Sequence, residues 1–237
     1  MKLSATGLKL FMDCPRCFWL QNTKKIKRPS GPFPSLPGGI DEICKNYFDK
    51  YRVHPRYIGK LPPEVEAIGF KGSLFGMNRQ DKETLDKWRN FRKSDLEYVH
   101  TSGDVLYAVL DDLLIDENGL YVPFDYKSRR GPPKEETNAL YTPQINVYAL
   151  CLNAKGYKTT DYGYLDYYYP VELSEGAMIE FKCEIVKIKT SSKYIIDILD
   201  RALECLKDEE EPKANVSCSF CKFTEIIKGE DKCQKLL

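Results

Sequence analysis

Apolar residues recur at spacings of three and four in residues 4–20, 39–52, 81–92, 142–154 and 191–208, the period of helices with one buried face. Five other runs, 96–101, 104–116, 120–127, 160–169 and 180–189, are rich in β-branched and aromatic residues and predict strands. Strands flanked by helices in this order predict an α/β fold, a mixed central β-sheet with helices on both sides. Residues 53–80 carry several glycines and prolines and are expected to be irregular, a loop over a cleft.

Charge enters the apolar pattern at one instructive place. The strands 104–116 and 120–127 are separated by Glu117-Asn118-Gly119, and Asn and Gly tolerate the positive φ of a hairpin turn. A three-residue loop closing on a glycine bulge sets Asp116 opposite Leu120 and Asp111 opposite Asp125, with β-carbons roughly 5 Å apart. A two-residue Asn-Gly loop would instead bring Asp112 opposite Asp125. Alternation sends Asp125 and Lys127 to one face and Phe124 and Tyr126 to the other. Thr142-Pro143 reads as a helix start, threonine capping and proline at the first helical position. On that helix Gln144 and Tyr148 lie four apart and share a face.

This is the chemistry of a hard-cation site. Magnesium or manganese takes oxygen ligands, here a carboxylate from each strand, Asp111 and Asp125, plus the backbone carbonyl of Tyr126. The Lys127 ammonium can orient a water and offset charge that develops on a phosphate.

Composition changes the picture little. The chain has 237 residues, 42% hydrophobic and 30% charged, enough for one large domain of ordinary globular type. No apolar run approaches the roughly 20 residues that span a bilayer, and the N-terminus lacks a signal-peptide core, so cytoplasmic residence is expected, without membrane partners. A net charge of +1 does not advertise nucleic-acid binding, so any such affinity must come from local patches. The candidates are Lys24-Lys25-Ile26-Lys27-Arg28 and the run after Lys127, Arg129 and Arg130 with Lys134.

Nine cysteines in a cytosolic-type chain point to metal ligation rather than disulfides. Cys14-Pro15-Arg16-Cys17 and Cys218-Ser219-Phe220-Cys221 form two C-x-x-C pairs near opposite ends, with Cys233 beyond. Four thiolates read as either a tetrahedral zinc site or an iron–sulfur cluster. Such a clasp would close a loop of about 200 residues and stabilise the fold by several kcal/mol. Cys44, Cys151, Cys183 and Cys205 lie in apolar-patterned segments and are expected to pack as small hydrophobes.

Together, Asp111-Asp112-Leu113-Leu114, Val122-Pro123-Phe124-Asp125-Tyr126-Lys127-Ser128 and Gln144-Ile145-Asn146-Val147-Tyr148 resemble the PD-(D/E)XK nuclease superfamily, and within it the RecB-type branch that includes the CRISPR-associated exonucleases. The resemblance implies a restriction-endonuclease-like core in a single domain over 1–237. Its core would be at about 90–190, with a helical N-terminal region over 1–90 and a C-terminal helix plus cysteine knuckle over 191–237 packing together. It implies a metal-dependent deoxyribonuclease acting on single-stranded DNA or DNA ends, with Gln144 and Tyr148 steadying Lys127 or touching the DNA backbone.

The segment Ser4-x-x-Gly7-Leu8-x-x-Phe11-x-x-Cys14-Pro15-Arg16-Cys17-Phe18-Trp19-Leu20 is similar to the N-terminal helix of iron–sulfur RecB-type nucleases, in which one early cysteine joins three late ones around a 4Fe-4S cluster. This chain departs from that pattern, because the gap from Cys221 to Cys233 is long. The expected ligands are Cys14, Cys17, Cys218 and Cys221, with Cys233 as the substitute and zinc as the alternative metal. A second departure is Asp41, which stands where many RecB-type nucleases carry a metal-ligating histidine. A carboxylate there can hold magnesium or manganese; the alternative is an acid in a first helical turn, favoured by the helix dipole. If that exchange abolishes metal binding, the chain is an inactive DNA-binding or adaptor module.

Overall fold

The computed structural model describes residues 1–29, 31 and 35–234, with side chains described as far as 227. In chain order the elements are β1 (Lys2–Ser4), α1 (Ala5–Asp13), α2 (Pro15–Thr23), α3 (Ser35–Val53), α4 (Pro63–Ala67), β2 (Gly72–Leu74), α5 (Arg79–Arg89) and β3 (Glu97–Val99). They continue with β4 (Val105–Tyr107), β5 (Asp112–Asp116), β6 (Tyr121–Ser128), α6 (Glu135–Ala154), β7 (Tyr162–Ser174), β8 (Met178–Lys189), α7 (Ser192–Lys207) and α8 (Ser219–Gln234). Two compact units form: Met1–Leu3 with Pro34–Ile195, and Ser4–Phe33 with Ile196–Leu237. Among the described residues no helix is long and apolar enough to cross a membrane.

The larger unit is built on a five-stranded sheet of order β2-β5-β6-β7-β8. Strands β6 and β7 run parallel, and the other neighbours are antiparallel, so the sheet is mixed, as the element pattern predicts. A parallel pair needs a crossover, and α6 supplies it. On one face Phe48 of α3 packs against Phe124 and Tyr126, with ring centroids 5.3 and 5.1 Å away. On the other face lies α6, whose Ile145 and Tyr148 are buried. Gly163 lets this helix approach closely: a β-carbon there would stand 2.7 Å from Ile145 Cγ2 and 2.8 Å from the Pro123 carbonyl oxygen. A smaller sheet of order β1-β4-β3 completes the strands.

Several element boundaries differ from expectation, each for a local reason. The helix expected over 4–20 is two helices, because Cys14 is extended (φ −164°, ψ 109°). Pro15 disfavours helical geometry at the residue before it and then opens α2. The strand expected over 104–116 splits into β4 and β5, which belong to different sheets. Between them the Ala108 and Leu110 amides bond to the carbonyls of Leu96 and Trp88 instead of a strand neighbour. Residues 53–80 are not wholly irregular: α4 lies within them, and β2 pairs with β5 from Gly72↔Asp116 to Leu74↔Leu114.

The largest difference concerns α6. Thr142-Pro143 is not its start; the helix begins at Glu135 and Pro143 lies inside it. The missing proline amide forfeits the bond that Ala139 would receive. Two side chains supply neighbouring carbonyls with donors, Thr142 Oγ1 to Asn138 at 2.9 Å and Asn146 Nδ2 to Thr142 at 2.8 Å.

Candidate active site

The hairpin register decides which aspartate meets Asp125. Asp116 Oδ1 accepts the amides of Asn118 (2.9 Å) and Leu120 (2.8 Å), and Gly119 sits at φ 76°. This is the three-residue closure. It pairs Ile115 with Tyr121 and Asp112 with Phe124, so one further step brings Asp111 to Asp125.

The adjacent acid, Asp112, faces the opposite way and is fully buried. Its Oδ2 accepts from Arg89 Nη2 at 2.8 Å and Tyr126 Oη at 2.5 Å, while Arg52 Nη2 pairs with Oδ1. Burial works against its charge, but the Arg52 and Arg89 guanidinia more than offset that and hold the carboxyl below its usual range. Arg89 also donates from Nε to the Asp111 carbonyl at 2.7 Å and pairs with Asp49 at 3.0 Å. The backbone between the two aspartates is thus gripped from α5, and Asp112 serves as its anchor.

Asp125 is also fully buried. Its Oδ1 accepts from Tyr148 Oη at 2.9 Å and Gln144 Nε2 at 3.0 Å, so the Gln-x-x-x-Tyr face of α6 holds this carboxylate rather than the lysine. Its Oδ2 faces the Lys127 ammonium without a hydrogen bond of normal geometry. Asp111 Oδ1 pairs with Lys45 Nζ at 2.8 Å, and the same ammonium lies 2.7 Å from Asp41. Burial and the neighbouring Asp111 charge push Asp125 up to about 7, although Lys127 opposes them. Burial also disfavours the Lys127 charge, yet Asp125 and Asp111 raise its pKa above the usual lysine value. Its ammonium rests over the Tyr141 ring, 4.9 Å from the centroid.

These groups open on a cavity of about 360 Å³, lined among others by Asp41, Asp111, Tyr126, Lys127, Tyr141 and Tyr168. The part-buried Asp111 and the fully buried Asp125 repel each other, and Asp125 has an oxygen lacking a proper donor, so together they make an oxygen donor set suited to a hard divalent cation. Asp41 lies beyond the first turn of α3, which starts at Ser35, so dipole stabilisation does not account for it. Burial, then the Asp111 charge, raise its pKa. Sequence reasoning does not single out Lys45, although its i, i+4 spacing from Asp41 on a helix is the signal that finds it.

The basic residues beyond β6 are arranged unequally. Arg130 and Lys134 are exposed, whereas Arg129 is half-buried, donating to Thr137 Oγ1 at 3.1 Å with its guanidinium 5.8 Å from the Tyr167 ring centroid.

In the smaller unit, Cys14, Cys17, Cys218 and Cys221 are buried together, with all four Sγ atoms within 4.8 Å of one another. Asn215 donates its amide to Cys14 Sγ at 3.4 Å, and Arg28 Nη2 lies 3.6 Å from Cys218 Sγ. The Lys24–Arg28 run therefore turns at least one cation toward the thiols. The Cys233 side chain lies outside the described residues. Cys44, Cys151 and Cys205 are buried as expected of small hydrophobes, but Cys183 is exposed, because its stretch of β8 lies at the sheet edge.

A family model described as the PD-(D/E)XK nuclease superfamily matches residues 58–226, which include Asp111, Asp125, Lys127, Gln144 and Tyr148. A solved structure titled "Crystal structure of SSO0001" aligns with 15% identity over 95% of this chain and 84% of that one, at a TM-score of 0.37, a likeness too slight to carry argument. A search of curated proteins found no match. The fold and the family match agree, and the chain belongs to the PD-(D/E)XK nuclease superfamily, whose members are typically nucleases that use divalent metals.

Proposed function

We propose that this chain is a metal-dependent deoxyribonuclease of the RecB-type branch that degrades single-stranded DNA or DNA from its ends. The observation that carries the reading is that Asp111 and Lys127 line one cavity, with Tyr126 on its wall and the buried Asp125 carboxylate paired to Lys127. Asp111, Asp125 and the Tyr126 carbonyl would hold magnesium or manganese, with Asp41 as a further carboxylate at the rim. The ion would supply a water of lowered pKa and offset phosphate charge.

The protein's own groups do the rest. Tyr148 and Gln144 fix Asp125 Oδ1, which leaves Oδ2 turned toward Lys127. Lys127, held over Tyr141, orients the attacking water and faces the negative charge that grows on the phosphate. Arg130 and Lys134, exposed beyond β6, are suited to the DNA backbone. The cysteine cluster would be a structural metal site, read from the family likeness as 4Fe-4S and from its chemistry alone as zinc or iron–sulfur.

A second reading, a nuclease-like DNA-binding or adaptor module without turnover, is favoured by one observation. Lys45 sits 2.8 Å from Asp111 and 2.7 Å from Asp41, where its ammonium already neutralises charge that an ion would take. The test is incubation of the purified protein with manganese and matched linear and circular single-stranded DNA. Loss of the linear substrate alone supports the end-dependent nuclease. Cleavage of both makes it an endonuclease, and retention of both with measurable DNA binding supports the adaptor.

A further inference from the structure

The spacing of the four thiols bears on which metal they take. Cys17 Sγ lies 3.7 Å from Cys218 Sγ and 3.6 Å from Cys221 Sγ, and Cys14 Sγ lies 3.8 Å from Cys221 Sγ. Four ligands about 2.3 Å from one tetrahedral centre stand about 3.8 Å apart, the spacing of a Cys₄ zinc site. In a 4Fe-4S cube each cysteine binds a different iron on a different corner, so the thiolates must stand well apart around a body of eight atoms. Sulfurs this close, all within 4.8 Å of one another, leave no room for such a body.

We infer that the cysteine site is a tetrahedral zinc site rather than an iron–sulfur cluster, with Cys14, Cys17, Cys218 and Cys221 each supplying one thiolate. The surroundings fit this assignment. Each pair is a C-x-x-C knuckle, one opening α2 and the other opening α8, and such spacing brings two thiolates to one ion. The Asn215 amide points at Cys14 Sγ and Arg28 at Cys218 Sγ, donors that offset the negative charge of four thiolates on one divalent ion. Arg28 is further fixed by the Phe220 ring, 4.9 Å from its guanidinium carbon. The Cys17 thiol is central to two of the close contacts, so it is a ligand in its own right and not a bystander to Cys233.

The inference rests on the metal-site portion of the proposed function but not on turnover, so its test uses no DNA. The full chain is produced with iron and zinc both supplied, purified anaerobically, and analysed for metals, acid-labile sulfide and visible absorption. About one zinc per chain, no sulfide and no visible band is the expected result. Replacement by cobalt should then give the intense absorption of tetrahedral cobalt thiolate. Iron with matching sulfide and a brown band that bleaches on reduction would overturn the inference, as would a chain that binds neither metal. Cys17→Ser and Cys233→Ser provide a second arm: zinc loss in the first and retention in the second is expected. The reverse pattern would assign the fourth ligand to Cys233 and defeat the proposal. Should Cys17→Ser fail to fold, the wild-type metal content still decides.

Discussion

Asp111 and Asp112 are neighbours with opposite roles, and exchanging each for alanine separates function from stability. Asp112 is fully buried between Arg52, itself 1% exposed, and Arg89, and it receives the Tyr126 hydroxyl. Removing it leaves two guanidinia with Asp49 as their one remaining shared carboxylate and the buried Tyr126 hydroxyl without its acceptor. Breaking such a buried pair costs about 3–5 kcal/mol. In a chain of this size each kcal/mol moves the melting temperature by about 2–4 °C, so a fall of roughly 6–20 °C is expected. Asp111 instead sits against a second buried carboxylate whose proton affinity it raises. Asp111→Ala relieves that repulsion and loses the Lys45 pair, so stability should change by no more than about 1 kcal/mol while DNA cleavage disappears. Thermal or urea unfolding of both variants beside a cleavage assay reads out the contrast. A stable Asp112→Ala, or an unfolded Asp111→Ala, would refute the assignment of anchor and ligand.

Two further outcomes follow from packing and burial. Asp166 is fully buried and neither of its carboxylate oxygens has a hydrogen bond of normal geometry; burial chiefly pushes it up to about 8. The native state therefore keeps this proton while the unfolded chain releases it near 3.8, and stability falls with rising pH between those values. Asp166→Asn should flatten the urea-midpoint profile over about pH 4–8, gaining most at the alkaline end; parallel profiles would disprove it. Gly163→Val should destabilise the α6 face by about 2 kcal/mol or more, because its β-carbon meets backbone oxygen at 2.8 Å. An unchanged urea midpoint in that variant would show that the helix and sheet separate freely.

What can be read from sequence follows a physical line. The β5–β6 hairpin is legible because Asn118-Gly119 and strict alternation both act within a few residues. Between the two possible loop closures, only the hydrogen bonds of Asp116 to Asn118 and Leu120 decide, and these depend on the folded turn. The break at Cys14 is announced by Pro15 but masked by the helical spacing around it. The start of α6 is misplaced by sequence reasoning because proline is normally expelled from a helix interior. Here tertiary burial of residues 143–152 outweighs that penalty. The Arg52–Asp112–Arg89 network joins residues separated by 60 and 23 positions, so no local pattern announces it. The C-x-x-C pairs announce a metal, but the choice between zinc and iron–sulfur needs the distances between their sulfurs.

The most direct measurement of the central claim is cleavage of end-labelled single-stranded DNA by wild-type protein and by Lys127→Ala, each with manganese and each with a chelator. Wild-type protein with manganese should degrade the strand, the chelator should stop it, and Lys127→Ala should retain its fold and metal while losing at least about 10²-fold in rate. Intact DNA with wild-type protein, or a Lys127→Ala variant that cuts at the wild-type rate, would contradict the account.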